Sequence, residues 1–587
     1  MHFPRRPGIR NGLRGREAVV EPDLRAGLGR FTNRRLNPTC PEVRFHQLTD
    51  PNVRYGVTGR AFAFPRPPAS RTSLPRMKTL PLSGSGALAA ACLLFSSAFL
   101  PAARAETSAA TGPLPRATPE SQGISSPGLL ALVNEADAKQ FGLHGIMVLR
   151  HGSVVAEGWW APYTANEPHM LFSLSKSFTS TAIGLAQAEG RLNIHDKLVS
   201  FFPDDLPAEP SDNLKNMRLR DLLMMSTGQE KADVDAIKIW EKETTGQKQF
   251  LAAPVKQKPG TLFYYNSPAT FMLSATVQKV TGQTVRDYLM PRLFEPLGIA
   301  PPEWDNDPRG INIGASGLHL RLEDIAKFGQ LLLQRGEWHG RRLIPAEWID
   351  LATSRQASNG SAPDGDWDQG YGFQFWRCVP GFYRGDGAFG QFCIVMPQHD
   401  TVVVINSGTK DMAGVMKLVW SKLLPELRAA ALPENPAAQQ ALRERLGQLA
   451  LRTPAGAATS PLTAKVSGRT YKFPDNPLTL ESATLDFAAD GAATLKVRRF
   501  GQDLSVKAGR GNWIRGAFPL TPGSTEPVAA AGAWTSDDTY TLLLAQYQQP
   551  FVLTVRLKFT GDEVSIENEM NVGFGNTRAP ALVGKAQ

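Results

Sequence analysis

The order in which two kinds of apolar periodicity appear limits what this chain can fold into. GIMVLRHGSVVAEGWW, residues 145–160, carries two strand-like apolar runs that turn at His151-Gly152, a β-hairpin pattern. Helical patterns follow, with apolar residues at i, i+3 and i+4 and a glycine stop: KSFTSTAIGLAQAEGRL, MRLRDLLMMSTG, ATFMLSATVQKVTG and LEDIAKFGQLLLQRG. Strand-like runs return only in YGFQFWRCV, GQFCIVM and TVVVINSG. A lone hairpin is marginal in water, so the first strands need the last ones as partners. The pattern therefore predicts an α+β domain, with an antiparallel sheet joining both ends of the segment, helices flanking it and an all-helical region inserted between its strands.

After about residue 430 the composition turns to Ala, Pro and Gln, and residues 431–463 read as a linker containing one helix. Residues 464–587 read as a separate all-β domain, its pattern changing from Val466 onward. TLDFAADGAATLKV turns at Asp490-Gly491, and TYTLLLAQY, FVLTVRLKF and EVSIENEM alternate up to about Asn571. This predicts a small antiparallel β barrel or sandwich domain.

The net charge of +10 would ordinarily point to nucleic acid or a membrane surface. All of it lies in residues 1–76, with fifteen Arg, no Lys and five Asp or Glu; from Met77 onward acids and bases balance at 49 each. Met77 opens a second pattern: Lys78, an apolar run from Ala87 to Leu100, then Ala103-Arg104-Ala105 before Glu106. That is a secretory signal peptide spanning residues 77–105, its apolar run short of the roughly 20 residues a membrane span needs. Translation is thus expected to begin at Met77, with residues 1–76 an over-long and disordered extension. The mature chain, from residue 106, is expected in the periplasm or outside the cell, without a stable membrane span and without nucleic-acid binding.

FSLSKSF, residues 172–178, carries the first chemistry. Ser173 and Lys176 are three apart, hence on one face of a helix, and a helix N-terminus offers N–H groups to an oxyanion. Lysine can take the serine proton if burial lowers its pKa. Ser175 is a rival, but its i, i+1 spacing to Lys176 turns the side chains apart. By itself S-x-x-K is common as a helix cap. PGTLFYYNSPATF, residues 259–271, adds two tyrosines, Tyr264 and Tyr265, ahead of Asn266 and Ser267. A tyrosine there can relay protons. GDGAFGQFCIVM, residues 385–396, runs glycines into a strand, where a backbone N–H can complete an oxyanion hole. No G-x-S-x-G occurs, and His151 and His169 read as structural.

In that order the three motifs resemble the serine β-lactamase and penicillin-binding-protein superfamily. RHGSVVAEGWW, LRDLLMMSTG and GASGLHLRLEDIAKFGQLLLQRGEWHG are similar to its class C β-lactamase-related branch. Within that branch, Phe263-x-Tyr265-Asn266-Ser267 resembles the secreted serine hydrolases of the 6-aminohexanoate-dimer hydrolase group. The resemblance covers about residues 118–425 and implies a β-lactamase/transpeptidase-like hydrolase domain over 106–430. It implies an acyl-enzyme on Ser173 with Lys176 as base. Tyr265 is preferred as the proton relay over Tyr264, which a Y-x-N alignment favours. Asn266 and Ser267 would support the second motif, and the Ser173 and Gln391 amides, with Gly390, would form the oxyanion strand. The third motif departs from Lys-Thr-Gly: Ala388-Phe389-Gly390 supplies no cation, which favours a neutral ester or amide over a β-lactam or peptide carboxylate.

The expected activity is therefore that of a secreted serine esterase or amidase acting on a small-molecule ester, amide or peptide. The alternatives are a β-lactamase or D,D-peptidase, or a slow-acylating penicillin sensor. No cofactor and no metal are expected, since there is no CxxC and no Cys/His cluster at ligand spacing. Cys378 and Cys393, the two cysteines left in the mature chain, read either as a disulfide or as two buried thiols.

Overall fold

The computed structural model describes residues 112–587 apart from Trp240. The expected signal peptide and the extension before it lie outside the described residues. Helix α1 (Ser126–Ala138) starts where the Ser125 Oγ accepts from the Gly128 N–H. The hairpin follows as β1 (Leu143–Arg150) and β2 (Ser153–Trp159). Then come α2 (Ser175–Ala188), α3 (Leu219–Leu223), α4 (Ser267–Thr281) and α5 (Leu322–Leu333). Strands β3 (Trp376–Arg377), β4 (Tyr383–Gly387), β5 (Gln391–Met396) and β6 (Thr401–Ser407) complete a sheet of order β2-β1-β6-β5-β4-β3.

Strand β1 pairs β6 antiparallel, Met147 opposite Val404 and Val148 opposite Val403, so both ends of the segment do meet. The long apolar runs follow from burial on both faces. Met147, Leu149, Val402, Val404 and Val395 face one core with α2, α4 and α5. Their neighbours Ile146, Val148, Val403, Ile405 and Ile394 face another core, with α1 and the helical turns around residues 415–427. Cys393 lies in the first core and Cys378 in the second, so the two thiols are free and cannot form the disulfide considered above. Burial raises both, Cys378 to about 11 and Cys393 to about 12, which leaves them as unreactive thiols.

The stretch read as a linker is packed chain. Its helix α6 (Pro436–Gly447), capped by the Asn435 side chain, buries Leu442 in the second core together with Leu449. The remaining strands are β7 (Thr470–Lys472), β8 (Leu480–Phe487), β9 (Ala493–Arg499), β10 (Gln502–Ala508) and β11 (Ile514–Phe518). They continue as β12 (Glu526–Ser536), β13 (Thr539–Gln546), β14 (Val552–Thr560), β15 (Glu563–Met570) and β16 (Leu582–Ala586). They form one ten-stranded antiparallel sheet of order β10-β9-β8-β7-β16-β15-β14-β13-β12-β11. A bridge from Gly509, just past β10, to Ala531 on β12 brings the ends together, so the sheet is a nearly closed barrel. Strand β16 lies beyond the Asn571 limit read from periodicity; it fits between β15 and β7 and joins the two halves of the sheet.

The barrel docks on the sheet domain through polar bonds. Arg515 pairs with Glu167 at 2.8 Å and donates to the Pro162 carbonyl; the Tyr163 hydroxyl donates to the Gln549 carbonyl, and the Met170 N–H to the Gln548 carbonyl. Among the described residues no helix is long and apolar enough to cross a membrane. Because Leu442 is only 2% exposed, Leu442→Ala is expected to cost the folded chain about 2–5 kcal/mol, read from denaturant unfolding. A helix riding on a free linker would show no change.

Candidate functional site

Phe172–Leu174 forms a single 3₁₀ turn that runs straight into α2, so Ser173 stands at the start of a continuous helical segment. Phe172 holds a left-handed φ of +48°, a strained backbone for a bulky residue. One turn on, Lys176 is 1% exposed. Its Nζ donates to Ser173 Oγ at 3.0 Å, to Ser267 Oγ at 3.1 Å and to the Ala315 carbonyl at 2.9 Å. All three acceptors are neutral. Burial lowers the Lys176 pKa to about 7, with the Asp386 carboxylate pulling the other way.

Helix α4 is set by Asn266, whose Oδ1 accepts from the Ala269 N–H. The Asn266 Nδ2 is spent on Thr227 and Gln229, so this residue anchors the segment and does not reach Ser173. That anchoring delivers the two residues beside it. Ser267 bonds Lys176, and the Tyr265 phenol lies in interaction range of the Ser173 hydroxyl, with its ring 5.0 Å from Lys176 Nζ. Burial raises the Tyr265 pKa strongly, with Asp386 adding to it, so the phenol keeps its proton. Tyr264 turns elsewhere: its N–H bonds the Met225 carbonyl, and its phenol, raised to about 12 by burial, feels Asp235. Of the two tyrosines, the structure brings only Tyr265 to Ser173. Ser175, the rival serine, is buried and its Oγ accepts from the Leu318 N–H.

Strand β4 borders this group, although periodicity did not single it out. A Cβ on Gly387 would stand 2.0 Å from the Leu171 carbonyl oxygen, and one on Gly385 would meet Leu174 and Ser177. Those two glycines let the strand lie against the Ser173 turn. Gly390 and Gln391 sit past the turn into β5. A Cβ on Gly390 would strike Ser407, and the Gln391 side chain donates to the Ala388 and Ser407 carbonyls. The glycines that let β4 pack against the Ser173 turn are thus Gly385 and Gly387.

Sequence reading also passed over Asp386. It is 7% exposed and pairs with the fully buried Arg384 at 3.0 Å. It also accepts from Trp367 Nε1 and lies in charge range of Lys176 and Tyr265. Arg384 is spent on Asp386 and on the Asp366 and Arg377 carbonyls, and it stacks near the Trp367 ring. The only signal in the sequence was a charged pair inside a glycine-rich strand. His169 is buried and bonds His144 at 3.1 Å, away from Ser173, as the structural reading expected. Among the described residues no cluster could hold a metal ion.

Residues 133–419 match the family model described as Beta-lactamase. That segment belongs to the beta-lactamase family. The chain is 25% identical over 285 residues to the 6-aminohexanoate-dimer hydrolase of Paenarthrobacter ureafaciens, across 45% of this chain and 72% of that protein. It is also 25% identical over 212 residues to penicillin-binding protein 4 of Amycolatopsis lactamdurans, across 30% of this chain and 55% of that one. The solved octameric penicillin-binding protein homologue from Pyrococcus abyssi aligns over 79% of this chain and 100% of its own, with 16% identity and a TM-score of 0.41. The chain is a serine hydrolase.

Gly387→Ala is expected to push the Leu171–Ser173 turn away from β4 and cut ester hydrolysis at least about tenfold, because the clash is with backbone that cannot rotate aside. Steady-state kinetics beside a melting curve checks this; unchanged kinetics would mean that β4 does not position the turn.

Proposed function

We propose that this chain hydrolyses a neutral ester or amide through an acyl-enzyme on Ser173, with Lys176 as base and Tyr265 as the proton relay. The observation that carries the reading is the bonding of Lys176 Nζ to Ser173 Oγ at 3.0 Å with no carboxylate among its hydrogen-bond partners. A lysine near pKa 7 is neutral in about half of the molecules at neutral pH, so it can accept the Ser173 proton. The Ser173 oxygen then bonds the substrate carbonyl carbon. The Ser173 amide and an amide of the Gly387–Gln391 turn would face the oxyanion. Tyr265, held protonated by burial, gives its proton to the leaving group and recovers one from the lysine across the serine oxygen. Water enters by the reverse proton path, releases the acid and restores Ser173.

The charges beside the site favour a neutral substrate over a β-lactam or a peptide carboxylate. The group of β4 in range of Lys176 is a carboxylate, Asp386, and the nearby cation Arg384 is wholly buried and already paired. An exported location remains part of the proposal, on the strength of the pattern at residues 77–105.

Ser173→Ala is expected to lower p-nitrophenyl ester hydrolysis by at least about a thousandfold with an unchanged melting temperature, and to remove fluorophosphonate labelling of the peptide holding residue 173. Full activity in that variant would overturn the assignment. A stable adduct with labelled penicillin and negligible ester turnover would favour the sensor reading.

The pH profile supplies a second check. Lys176 acts in its neutral form, so kcat/KM is expected to rise with pH and level off above an apparent pKa near 7. Asp386 raises that pKa by favouring the ammonium form, so Asp386→Asn should shift the acid limb to lower pH. A limb that stays in place would remove Asp386 from the electrostatics of the base.

A further inference from the structure

The barrel reaches the residue next to Ser173. The Phe172 ring lies edge-on to Phe389 at 5.4 Å, and two barrel residues close around that pair. Phe551, ahead of β14, is 6.1 Å from Phe172 and 5.8 Å from Phe389. Phe574, beyond β15, is 6.0 Å and 4.8 Å from the same two rings. Phe172 and Phe389 both hold left-handed φ, +48° and +65°, so the chain bears strain on both flanks of the site to present these rings.

The two barrel loops are also held in place. Asn571 Nδ2 donates to the Gly408 and Pro550 carbonyls, and its Oδ1 accepts from the Val552 N–H. One side chain thus ties both loops to the end of β6. Phe551, Phe574 and Ala388 remain half-buried in a cluster where Val572 is fully buried, so apolar surface stays open next to the half-buried Ser173.

From this we infer that the barrel is part of the active site, and that Phe551 and Phe574 complete an apolar wall which selects the acyl group of the substrate. The inference rests on Ser173 as nucleophile and adds the substrate class: esters or amides of aromatic or medium-chain aliphatic acids. The side of the cleft follows from the chemistry. The leaving group takes its proton from Tyr265, whose ring packs with Trp376 and Tyr371 in a separate aromatic group. The acyl remainder then extends away from Tyr265, toward the Phe172 and Phe389 side. Barrel residues there are specificity determinants and take no part in proton transfer.

The test compares kcat/KM for p-nitrophenyl acetate, hexanoate and phenylacetate in the full chain and in the Phe551→Ala and Phe574→Ala variants. The parent chain is expected to favour hexanoate and phenylacetate over acetate by at least about tenfold, the scale of a small apolar contact in a binding pocket. Either alanine variant should lower that preference by about tenfold, mainly through KM, and Phe551→Leu should restore part of it. If an alanine variant fails to fold, the leucine variant of the same position is read against the parent. An unchanged preference, or an equal loss on all three esters, would overturn the wall. Survival of ester hydrolysis in Ser173→Ala would instead overturn the nucleophile, and the preference ratios would still report on the wall.

Discussion

The arrangement depends on removing one lysine ammonium from water. Lys176 is covered by α2, α4 and the segment carrying Ala315, and its Nζ finds two hydroxyls and a carbonyl but no bonded carboxylate. Burial with no bonded carboxylate disfavours the ammonium form, which brings a residue of ordinary pKa near 10 down to about 7. Asp386 limits the effect. It is close enough to be felt, yet held by Arg384 and Trp367 rather than by the lysine. The same burial acts on Tyr265, whose phenol it keeps protonated. One physical cause thus favours the neutral form of both the lysine and the tyrosine beside Ser173.

The surrounding fold supplies that burial. A six-stranded sheet with both faces covered provides a rigid wall, and β4 can lie against the Ser173 turn because Gly385 and Gly387 carry no Cβ. The second motif is fixed from the opposite side. Asn266 stays buried, caps α4 and bonds Thr227 and Gln229, so that Tyr265 and Ser267 flank the lysine. The barrel packs its Phe551 and Phe574 rings on Phe172 and Phe389, and helix α6 packs into the sheet domain rather than spacing the two parts.

Much of this was legible in the residues. The hairpin at His151-Gly152, the helices stopped by glycine and the return of strand patterns after residue 370 implied a sheet closed by both ends of the segment, because an isolated hairpin cannot persist. Ser173, Lys176 and Tyr265 could be named from spacing and motif resemblance, as could the alternating strands that form most of the barrel. Strand β4 was missed because YRGDG holds two glycines and two charges and has no apolar alternation; neighbours bury it, not its own pattern. For the same reason the close packing of Gly385 and Gly387 against the Ser173 turn had no signal in the pattern.

The sequence by itself determined the classes of element, the S-x-x-K spacing that puts Ser173 and Lys176 on one helical face, and the family chemistry that goes with it. Those are local properties, set by periodicity, turn residues and the geometry of one helix turn. Only the tertiary structure set Tyr265 rather than Tyr264 beside Lys176, separated Cys378 from Cys393 on opposite faces of the sheet, and brought Asp386 within range of the lysine. It alone set Phe551 and Phe574 against Phe172, nearly four hundred residues earlier in the chain. Those facts depend on which surfaces pack together, and long-range packing is decided by total burial and not by any short stretch of sequence.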